Sequence, residues 1–588
     1  MLFQNWCNQL YIGDNLVILR EYVDAESIDL IYLDPPFNKK ADFNVLFREH
    51  SGETSTAQIT AFEDTWRWGV EAEHAFEEMM DQSESKLRQL LSALLDYLGR
   101  SDAMAYLTMM APRLVEMHRV LKARGSLFLH CDPTSSHYLK LLLDAIFGPQ
   151  NFRNEIIWRR TNTHNDTKRF GQIHDTIFFY AKSDNCYFEP QKMPLPQAHV
   201  DERFKYRDEY GQYKLNDPCG PGPRYGDSGK PWKGFNPTER NRAWAPPRKV
   251  CERLGIDNSL PTRKKLDALL DAGYIKLPAK PGGIPMIKVY LEEDSDLGTP
   301  YQDIWAYQPY TKGYYYGDLE HGIDEDVSWL GPTSGERLGY PTQKPLGLLA
   351  RIITSACPPE GIVLDPFCGC GTAVAAAEHL ERRWIGIDIT HLAVSLIRHR
   401  IEEAFPDSLA PYKVLGEPKD LESAKVLAAE DRYQFQWWAL GLVGAKVTRD
   451  QQKKGADQGI DGRGFFKEPG TGDDKAIVYS VKSGKVTSRD VRDLRGVIER
   501  ENKRGKTPIG VLITLQEPSK PMVKEAASAG FYTPVGNDRY PTLQILTVAD
   551  LLSGKEVQAP LKLPRWSKKP PLQVKAPRHQ QGRLFSEG

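Results

Sequence analysis

The chain has 588 residues, of which 40% are apolar and 26% charged, so its composition is globular and its length suits about three or four domains. No apolar run approaches the roughly 20 residues of a membrane span, the N-terminus lacks a signal-peptide pattern, and eight cysteines without a CxxC pair predict neither a disulfide framework nor structural zinc. The net charge of −1 excludes a chain-wide attraction to nucleic acid, so any DNA surface must be a local basic patch.

The first predicted elements are a strand, a helix and a second strand over residues 8–37. Asp14 ends the first strand, QLYIGD, and precedes the helix NLVILREYVD. The second strand, SIDLIYLDPPF, is apolar except near its ends, as in a strand that is buried in a parallel sheet. Two prolines end it because neither can donate a ladder hydrogen bond. Asp34 is therefore predicted at the carboxyl end of a central strand, where open α/β sheets bind ligands.

A carboxylate, a proline-fixed backbone and an aromatic ring stand together at this strand end. Asp34 and the Pro35 carbonyl can accept hydrogen bonds from a planar amino group, while Phe37 can stack on the ring that carries it. Asp34, Pro35, Pro36 and Phe37 resemble the catalytic motif (D/N/S)PP(Y/F) of the DNA amino-methyltransferases. In that family a GDN triplet at the place of Asp14 lies beside the cofactor, and plain helix capping, with Asn15 as the cap, is the alternative.

The catalytic half is predicted to span residues 1–183. An aromatic loop over residues 38–75 is followed by helical spacing to about residue 122, then by the strand SLFLHCD, the helix SHYLKLLLDAIFG and the strands NEIIWRR and DTIFFYAKS. Strands that alternate with helices predict an α/β fold with a Rossmann-like, doubly wound parallel sheet. These segments resemble the type III modification subunits of the permuted β group of DNA amino-methyltransferases. His130 and Asp132 fall at a strand end, where we expect packing or substrate positioning.

Residues 184–335 lose this periodicity and are rich in Gly, Pro, Tyr and Trp. Seven basic residues stand against two acidic ones in a segment that contains Arg224, Lys230, Lys233, Arg240, Arg242, Arg248 and Lys249, with Asp227 and Glu239. Tyr225, Trp232, Phe235 and Trp244 are interleaved. Cations for phosphates with aromatic rings for unstacked bases are typical of a nucleic-acid surface, and an irregular insertion with a solvated basic face is the alternative. The β-group order implies a target-recognition region here that binds double-stranded DNA, and the predicted contacts are Arg224, Lys230, Lys233, Arg240 and Arg242.

Residues 336–420 predict a nucleoside-cofactor site. The strand GIVLDPF runs into a Gly-rich turn, the turn opens an Ala-rich helix, and a second strand ends at Asp388. Gly369 and Gly371 permit a tight turn and close backbone approach. Asp388 follows about 20 residues later and can hold both ribose hydroxyls. A dinucleotide enzyme would need GxGxxG, whereas DPFCGCGT resembles the S-adenosylmethionine motif of DNA methyltransferases.

The resemblance also assigns the other cofactor contacts. It implies that Asp365 meets the methionine ammonium group, that Phe367 lines the cofactor, and that Lys344 of the TQKP segment pairs with the cofactor carboxylate. The motifs DPPF, TQKP and DPFCGCGT occur in the circularly permuted order that defines the β group. The resemblance covers residues 8–420.

Residues 425–555 are predicted to form a second α/β unit. Asp461 and Lys482 are spaced as in the PD-(D/E)xK nucleases, and the surrounding pattern resembles an Mrr-like restriction endonuclease domain, in which two acidic groups hold Mg²⁺ and the lysine assists the attacking water. Ser480 stands where that motif has Glu or Gln, and the acidic residue expected in the first helix is absent. Asp461 would be a metal ligand only in an active domain, so Mg²⁺-dependent cleavage and a DNA-binding domain of nuclease ancestry both stay open.

Residues 556–588 form a Pro- and Lys/Arg-rich tail that is predicted to be disordered. Near its end Gln581, Leu584 and Phe585 resemble the QxxLF type of peptide that docks on bacterial sliding clamps. An ordinary polar terminus is the alternative.

The combined prediction is an S-adenosylmethionine-dependent DNA amino-methyltransferase of the β group, fused to an Mrr-like domain, in a restriction-modification or defence setting. Aspartate and phenylalanine in the catalytic motif favour adenine N6, and cytosine N4 is the alternative. A one-chain restriction-modification enzyme, a nuclease that uses its methylase half only for recognition, and a DNA-binding protein without activity are rivals. The resemblance implies base flipping, a bacterial cytoplasmic, DNA-associated location, no membrane, and a homodimer or a restriction subunit as partner.

Overall fold

The computed structural model describes residues 6–36, 67–82, 84–162, 168–280, 283–291, 298–331, 334–338, 340, 342–447, 459–468, 472–502, 506–534 and 538–560. These residues divide between two compact units. The first unit takes those within Met1–Glu189, Asp303–Ala306 and Asp326–Gly588, and the second takes those within Pro190–Gln302 and Tyr307–Glu325. None of the described helices is long and apolar enough to cross a membrane.

The first unit begins with alternating strands and helices. In chain order they are β1 (Asn8–Ile12), α1 (Asn15–Tyr22), β2 (Ile28–Leu33), α2 (Val70–Gln82), α3 (Ser85–Leu98), α4 (Asp102–Val120), β3 (Leu121–Cys131), α5 (Pro133–Phe147), β4 (Phe152–Arg159) and β5 (His174–Ala181). The helical spacing predicted between residues 71 and 122 is confirmed, since it becomes three consecutive helices.

The second unit consists of short elements. They are β6 (Lys192–Met193), α6 (Gln197–Arg203), β7 (Tyr206–Asp208), β8 (Gly211–Asn216), β9 (Cys219–Pro221), β10 (Arg242–Trp244), α7 (Arg248–Arg253), α8 (Thr262–Asp271), β11 (Ile275–Lys276), β12 (Met286–Tyr290) and β13 (Thr299–Pro300). Strands β11, β12, β8 and β7 form an antiparallel sheet in that order. Strands this short carry too few residues for a period to be read, which explains why the sequence of this region looks irregular.

The chain then returns to the first unit. It adds β14 (Ile304–Trp305), α9 (Leu346–Ala356), β15 (Ile362–Asp365), α10 (Thr372–His379), β16 (Arg383–Asp388), α11 (His391–Ala404) and β17 (Tyr412–Leu415). The strands of both halves join in one sheet of nine strands, in the order β14-β4-β5-β3-β2-β15-β16-β1-β17. The central pair is β2 and β15. It joins the predicted catalytic half, residues 1–183, to the predicted cofactor-binding half, residues 336–420, which is called the cofactor half below.

Side chains alternate across the central strand β2, and each of its faces contributes to a different core. Ile31 and Leu33 belong to the apolar cluster built with α1, α3, α4 and α5. Leu30 and Tyr32 belong to the cluster built with α9, α10 and α11. Successive residues of a strand point to opposite faces, so β2 is covered by helices on both sides. The predicted doubly wound α/β arrangement is therefore present.

The prediction of a parallel sheet is wrong at one strand. Strand β5 runs antiparallel to both of its neighbours, β3 and β4, while the other pairings in this sheet are parallel. Residues 160–173 connect β4 to β5 without a helix among the described residues. A connection without a crossover helix suits an antiparallel pair. The apolar run DTIFFYA is compatible with either strand direction, so the residues of β5 themselves do not predict that it is antiparallel.

The C-terminal part also folds as α/β structure. Its elements are α12 (Leu421–Glu430), α13 (Arg432–Leu442), β18 (Lys446–Val447), β19 (Gly462–Lys467), β20 (Asp474–Lys482), α14 (Ser488–Glu501), β21 (Ile509–Thr514), α15 (Lys520–Ser528), β22 (Phe531–Tyr532), β23 (Tyr540–Pro541), β24 (Leu543–Thr547) and α16 (Val548–Leu552). The sheet order is β18-β19-β20-β21-β24, antiparallel up to β20 and parallel beyond it. Helix α13 packs on α11, so this part contacts the cofactor half directly.

Candidate active site

Three predicted carboxylates follow or end adjacent parallel strands. Strand β15 pairs with β2 on one side and with β16 on the other, all in the same direction. Asp34 follows Leu33 at the end of β2, Asp365 ends β15, and Asp388 ends β16. The carboxyl ends of parallel strands lie along one edge of a sheet, which is where ligands bind in doubly wound folds. The DPPF motif and the cofactor motif, more than 300 residues apart in the sequence, therefore share one site.

Asp34 forms an ion pair with Lys344. The Lys344 Nζ donates to Asp34 Oδ2 and lies 3.3 Å from the Thr342 carbonyl oxygen. Both side chains are largely buried, with exposed fractions of 9% for Lys344 and 16% for Asp34, so the pair is shielded from solvent. We predicted that Lys344 pairs with the cofactor carboxylate, whereas in the structure it pairs with the carboxylate of Asp34. Pro35 is buried and Pro36 exposed, and the predicted stacking residue Phe37 lies outside the described residues.

Asp365 is a buried carboxyl with a strongly perturbed acidity. Its side chain is only 4% exposed, and its Oδ1 accepts a hydrogen bond of 3.0 Å from the Phe367 backbone N–H. Burial raises the pKa of Asp365 to about 8, the backbone hydrogen bond opposes this, and the nearby Asp34 and Asp388 add to it. A carboxyl held this way favours a cationic ligand, because a positive charge would stabilise its ionised form. This is the chemistry expected of a group that meets an ammonium ion.

Asp388 orders the Gly-rich turn. Its Oδ2 accepts from the Gly369 N–H at 2.8 Å, and its Oδ1 accepts from the backbone N–H and the hydroxyl of Thr390 at 3.0 and 2.9 Å. Burial raises the pKa of Asp388 to about 6, and these donors oppose the shift. Each carboxylate oxygen has two lone pairs, so Asp388 can hold the turn and still accept from ribose hydroxyls.

The two glycines predicted for the turn adopt the backbone conformations that favour glycine. Gly369 has φ of +51° and Gly371 has φ of +72°. A Cβ on Gly371 would lie 2.7 Å from Ile397 Cγ1, and one on Gly369 would lie 3.0 Å from the ring of Tyr340. At both positions the turn is therefore closed against any larger side chain by its packing on Ile397 and Tyr340. Cys368 and Cys370 are buried in it.

A buried ion pair, which the sequence analysis missed, supports this turn. Arg400 of α11 is 4% exposed and donates to the Thr372 hydroxyl at 2.9 Å and to the Cys370 carbonyl at 3.2 Å. Its other nitrogen contacts Glu336 at 3.3 Å. The sequence did contain a signal for this ion pair. Arg400 falls three residues after Ile397 on the apolar face of its helix, and a cation buried there needs an anionic or hydrogen-bonding partner.

Asp14, and not the predicted Asn15, caps α1, and it also takes part in a polar cluster. Its Oδ1 accepts from the Leu16 N–H at 2.6 Å, and its Oδ2 accepts from Arg113 Nη2 at 2.8 Å. Arg113 is buried and also donates to Asn15 Oδ1 at 2.7 Å, while Asn15 donates to the Pro366 carbonyl at 2.9 Å. Residue 366 lies in the cofactor motif, so Asp14 is linked to that motif through Asn15 and Arg113. Cofactor contact by Asp14 stays a prediction.

His130 and Asp132 serve the fold of the catalytic half. Asp132 caps α5, accepting from the Ser135 N–H at 3.1 Å. His130 Nδ1 lies 2.9 Å from the Tyr32 hydroxyl, and its Nε2 lies 3.2 Å from Asp175 Oδ2, with all three side chains buried. This chain joins strands β2, β3 and β5 immediately before the position of Asp34.

The second unit places most of the predicted DNA contacts at its surface. Arg224, Lys230, Lys233 and Arg240 are exposed. Arg242 is different, because it forms an ion pair with Asp217 and also donates to the Cys219 carbonyl. The charge of Arg242 is thus neutralised within the fold by Asp217, so Arg242 is not part of the predicted DNA-binding surface.

The aromatic part of that prediction is corrected as well. Tyr225 is fully exposed, but Trp232, Phe235 and Trp244 are 6%, 3% and 2% exposed and form the core of the second unit with α7 and α8. Trp232 Nε1 donates to Asp267 Oδ1 at 2.8 Å, which ties this core to α8. These three rings are therefore unavailable for stacking on bases.

The predicted nuclease residues lie in the C-terminal sheet. Asp461 is 8% exposed, and its carboxylate accepts from Gln436 Nε2 at 3.0 Å, from the Ser480 hydroxyl at 3.1 Å and from the Val481 N–H at 2.7 Å. Gln436 and Ser480 hold the positions where a nuclease of this type would supply further oxygen ligands. Lys482 is exposed at the end of β20. Within the described part of the chain, no cluster of three or more His, Cys, Asp or Glu side chains is arranged to hold a metal.

The family model N6_N4_Mtase, described as DNA methylase, matches residues 28–399, which is more than half of the chain. The chain belongs to the DNA methylase family. This match confirms the predicted class, a DNA methyltransferase that acts on an exocyclic amino group of adenine or cytosine. It contains Asp34, Lys344, Asp365 and Asp388 and ends before the C-terminal part, whose likeness to a nuclease stays a prediction.

Curated relatives of this DNA methylase cover the same part of the chain. The type II methyltransferase M.EcaI of Enterobacter cloacae is 28% identical over 393 residues, which is 66% of this chain and 68% of that protein. The type III restriction-modification enzyme StyLTI Mod subunit of Salmonella typhimurium is 26% identical over 391 residues, which is 64% of this chain and 51% of that protein. The matched part thus corresponds to about two thirds of the first relative and about half of the second.

Solved structures give weaker likenesses. The PvuII DNA methyltransferase (cytosine-N4-specific) has a TM-score of 0.29 and 12% identity, over 66% of this chain and 85% of that one. A putative DNA modification methylase of Thermus thermophilus, complexed with S-adenosyl-L-methionine, has a TM-score of 0.30 and 13% identity, over 70% of this chain and 99% of that one. Scores this low support no conclusion about the present site.

Proposed function

We propose that this protein transfers a methyl group from S-adenosylmethionine to the N6 amino group of a flipped adenine in double-stranded DNA, in a restriction-modification setting. The observation that carries the proposal is the meeting of Asp34, from the DPPF motif, with Asp365 and Asp388, from the cofactor motif, at one edge of the sheet. Transfer of tritium from methyl-labelled S-adenosylmethionine to unmethylated DNA tests the activity. Purified protein should label the DNA, and a folded, cofactor-binding protein that labels none would contradict the proposal.

The residues of the site fit this cofactor. Asp365 offers a buried carboxyl for the ammonium group, Asp388 offers oxygens for ribose hydroxyls, and the turn at Gly369 and Gly371 has no room for a side chain. Phe367 is half-buried next to Asp365 and is suited to line the cofactor. When bound, the cofactor supplies an electrophilic methyl group on a sulfonium.

Asp34 and the Pro35 carbonyl prepare the nucleophile. The base leaves the duplex at a cost of a few kcal/mol, and Phe37 stacks on it. Asp34 and the Pro35 carbonyl accept the two amino hydrogens, which draws the nitrogen lone pair out of conjugation with the ring. With the cofactor bound, the freed lone pair would take the methyl group that the sulfonium supplies, and the amino nitrogen would give up one proton to the carboxylate of Asp34 or to solvent. Positioning of the reacting atoms supplies much of the acceleration.

The choice of base rests on the motif. Aspartate followed by two prolines and phenylalanine favours adenine N6, and cytosine N4 is the second candidate because the same acceptors would serve its amino group.

A Mod subunit among the relatives suggests a restriction subunit as partner, and the QxxLF-like tail suggests a sliding clamp, with Gln581, Leu584 and Phe585 outside the described residues.

DNA binding by the second unit should depend on its exposed cations. A double variant, Arg224→Glu with Lys233→Glu, is expected to weaken DNA binding at least about tenfold and to reduce the salt slope of binding by about two, because each phosphate contact releases counterions. Cofactor affinity should stay unchanged. Lys205→Glu is the matched control, since Lys205 is exposed on the same unit but outside the basic segment. Equal weakening by the control would show general repulsion and remove the proposed surface; fluorescence anisotropy across a salt series measures both quantities.

We also propose that the C-terminal part does not cleave DNA. Mg²⁺ needs several anionic oxygens, and at this place Asp461 faces Gln436 and Ser480, which donate to it. The described residues around Asp461 therefore do not fit a Mg²⁺ centre, and Asp461 is better explained as a buried acceptor that joins α13 to β20. The same helix reaches the cofactor half, where Gln434 Oε1 accepts from the His391 N–H at 2.9 Å.

The nuclease question has a direct test. Asp461→Ala should lower the thermal stability by several degrees, because three donors lose their buried acceptor, and wild type and variant alike should leave plasmid DNA intact with Mg²⁺. Lys482→Ala serves as the control, since Lys482 is exposed and its loss should leave stability unchanged. Mg²⁺-dependent cutting by the wild type that is lost in both variants would instead establish a one-chain restriction-modification enzyme.

A further inference from the structure

We propose that Lys344 is a positioning residue for Asp34, and that it orients the catalytic carboxylate instead of binding the cofactor carboxylate. This inference rests on the proposed methyl transfer and deepens it. It starts from the ion pair between Lys344 Nζ and Asp34 Oδ2, which joins the TQKP segment to the DPPF motif across 310 residues of sequence.

The backbone of Lys344 is fixed by the cofactor half. The Lys344 carbonyl accepts from the Thr372 hydroxyl at 3.3 Å, and that hydroxyl accepts from buried Arg400 at 2.9 Å. The next residue, Pro345, caps helix α9 and has restricted backbone freedom. The backbone of Lys344 is thus held beside the Gly-rich turn, while its ammonium group contacts Asp34 at the end of β2. This geometry sets where Asp34 stands relative to the cofactor turn.

The surroundings of Asp34 are rich in carboxyl groups. The groups close enough to interact electrostatically with Asp34 or Lys344 include Asp365, Asp175, Tyr32, Tyr340, Cys131 and Cys370. Asp388 adds a further carboxyl beside Asp365 and Tyr340. The ammonium group of Lys344 offsets the repulsion between the carboxylate of Asp34 and these neighbours, and so holds Asp34 in place at this edge of the sheet.

The orientation of Asp34 matters for the reaction, because one of its oxygens must face the amino group of the base. Lys344 donates to Oδ2, so we assign Oδ1 to an amino hydrogen of the base. A lysine in this place therefore affects the step that prepares the nucleophile. Its loss should lower kcat and leave the cofactor affinity unchanged.

The test is Lys344→Met, with Lys122→Met as the matched control. Lys122 forms an ion pair with Asp29 at 2.6 Å. Asp29 lies near the start of β2, the strand that Asp34 follows, and so away from the site. We expect Lys344→Met to lower kcat about 10–100-fold, while the cofactor Kd from calorimetry changes less than about threefold. Lys122→Met should leave both kcat and the cofactor Kd unchanged.

The opposite pattern would overturn the inference. A cofactor Kd weakened tenfold or more, with kcat at saturating cofactor unchanged, would return Lys344 to the cofactor carboxylate. Lys344→Gln, which keeps a polar contact, replaces the methionine variant should that one not fold. Calorimetry needs no methyl transfer, so a wild type that binds cofactor without methylating DNA would defeat the proposed function alone. Cofactor binding by the Lys344 variant would then still decide between the two roles.

Discussion

Replacing Asp34 with alanine is expected to lower kcat for methyl transfer by about 10²–10⁴-fold while the cofactor Kd stays within about threefold. The carboxylate is the acceptor that withdraws the amino lone pair from the ring, and its removal leaves the Pro35 carbonyl alone. The ammonium of Lys344 would also lose its partner in a largely buried place, so the variant should unfold at a lower temperature. Asp34→Asn keeps one carbonyl oxygen, and we expect its kcat to fall between those of the wild type and the alanine variant.

Single-turnover methylation and calorimetry separate the two effects of this change. Asp96→Ala is a suitable control, because Asp96 is an exposed residue of helix α3 and should leave both quantities unchanged. Cofactor affinity lost in parallel with kcat would mean that Asp34 belongs to the cofactor pocket, and the proposed role of the DPPF motif would be withdrawn.

Cofactor affinity is expected to depend on pH through Asp365. Burial raises the pKa of this carboxyl to about 8, so below that pH the ammonium group of the cofactor must displace a proton from it. Affinity should rise by up to about tenfold per pH unit from pH 6 towards pH 8 and fall again above it, since an α-amino group loses its own proton near pH 8. Calorimetry in buffers of different ionisation enthalpy counts the proton released on the acidic side.

Asp365→Asn should remove this acidic limb and weaken binding at pH 8. In the cofactor-free protein the native state holds a proton on Asp365 between the ordinary pKa of 3.8 and about 8, whereas the unfolded state has released it. Stability from this group therefore falls as pH rises through that interval and is constant above it. The asparagine variant should accordingly melt several degrees higher than the wild type at pH 8 and similarly to it near pH 4. A wild-type affinity that is flat from pH 6 to pH 8 would contradict the assignment of Asp365 to the ammonium group.

Local features of the site were predictable from the sequence. Strand β2 ends at two prolines, and the turn after β15 needs glycine at Gly369 and Gly371, because such requirements act within a few residues of the chain. The shared edge of Asp34, Asp365 and Asp388 followed from parallel strands. The contact of Lys344 with Asp34 did not follow, since it joins distant segments whose approach is set by the packing of both halves.

Composition was a poorer guide in the second unit. Basic residues mixed with aromatic ones describe both a nucleic-acid surface and a small core with cations around it, and only packing distinguishes them. Tyr225 lies at the surface, whereas Trp232 and Trp244 form the core. In the C-terminal part the sequence already showed Ser480 where the nuclease motif has Glu or Gln, and the structure adds that Gln436 and Ser480 donate to the oxygens of Asp461.

The measurement that tests the central claim most directly is nucleoside mass spectrometry of unmethylated DNA treated with purified protein and S-adenosylmethionine. N6-methyladenine in the wild-type reaction, absent with Asp34→Ala, is the result that our account predicts. N4-methylcytosine would keep the roles of Asp34 and Asp365 and change the base. Methylated DNA formed equally well by the Asp34→Ala variant would contradict the mechanism, and no methylated base with cofactor bound would contradict the proposed activity of the isolated protein.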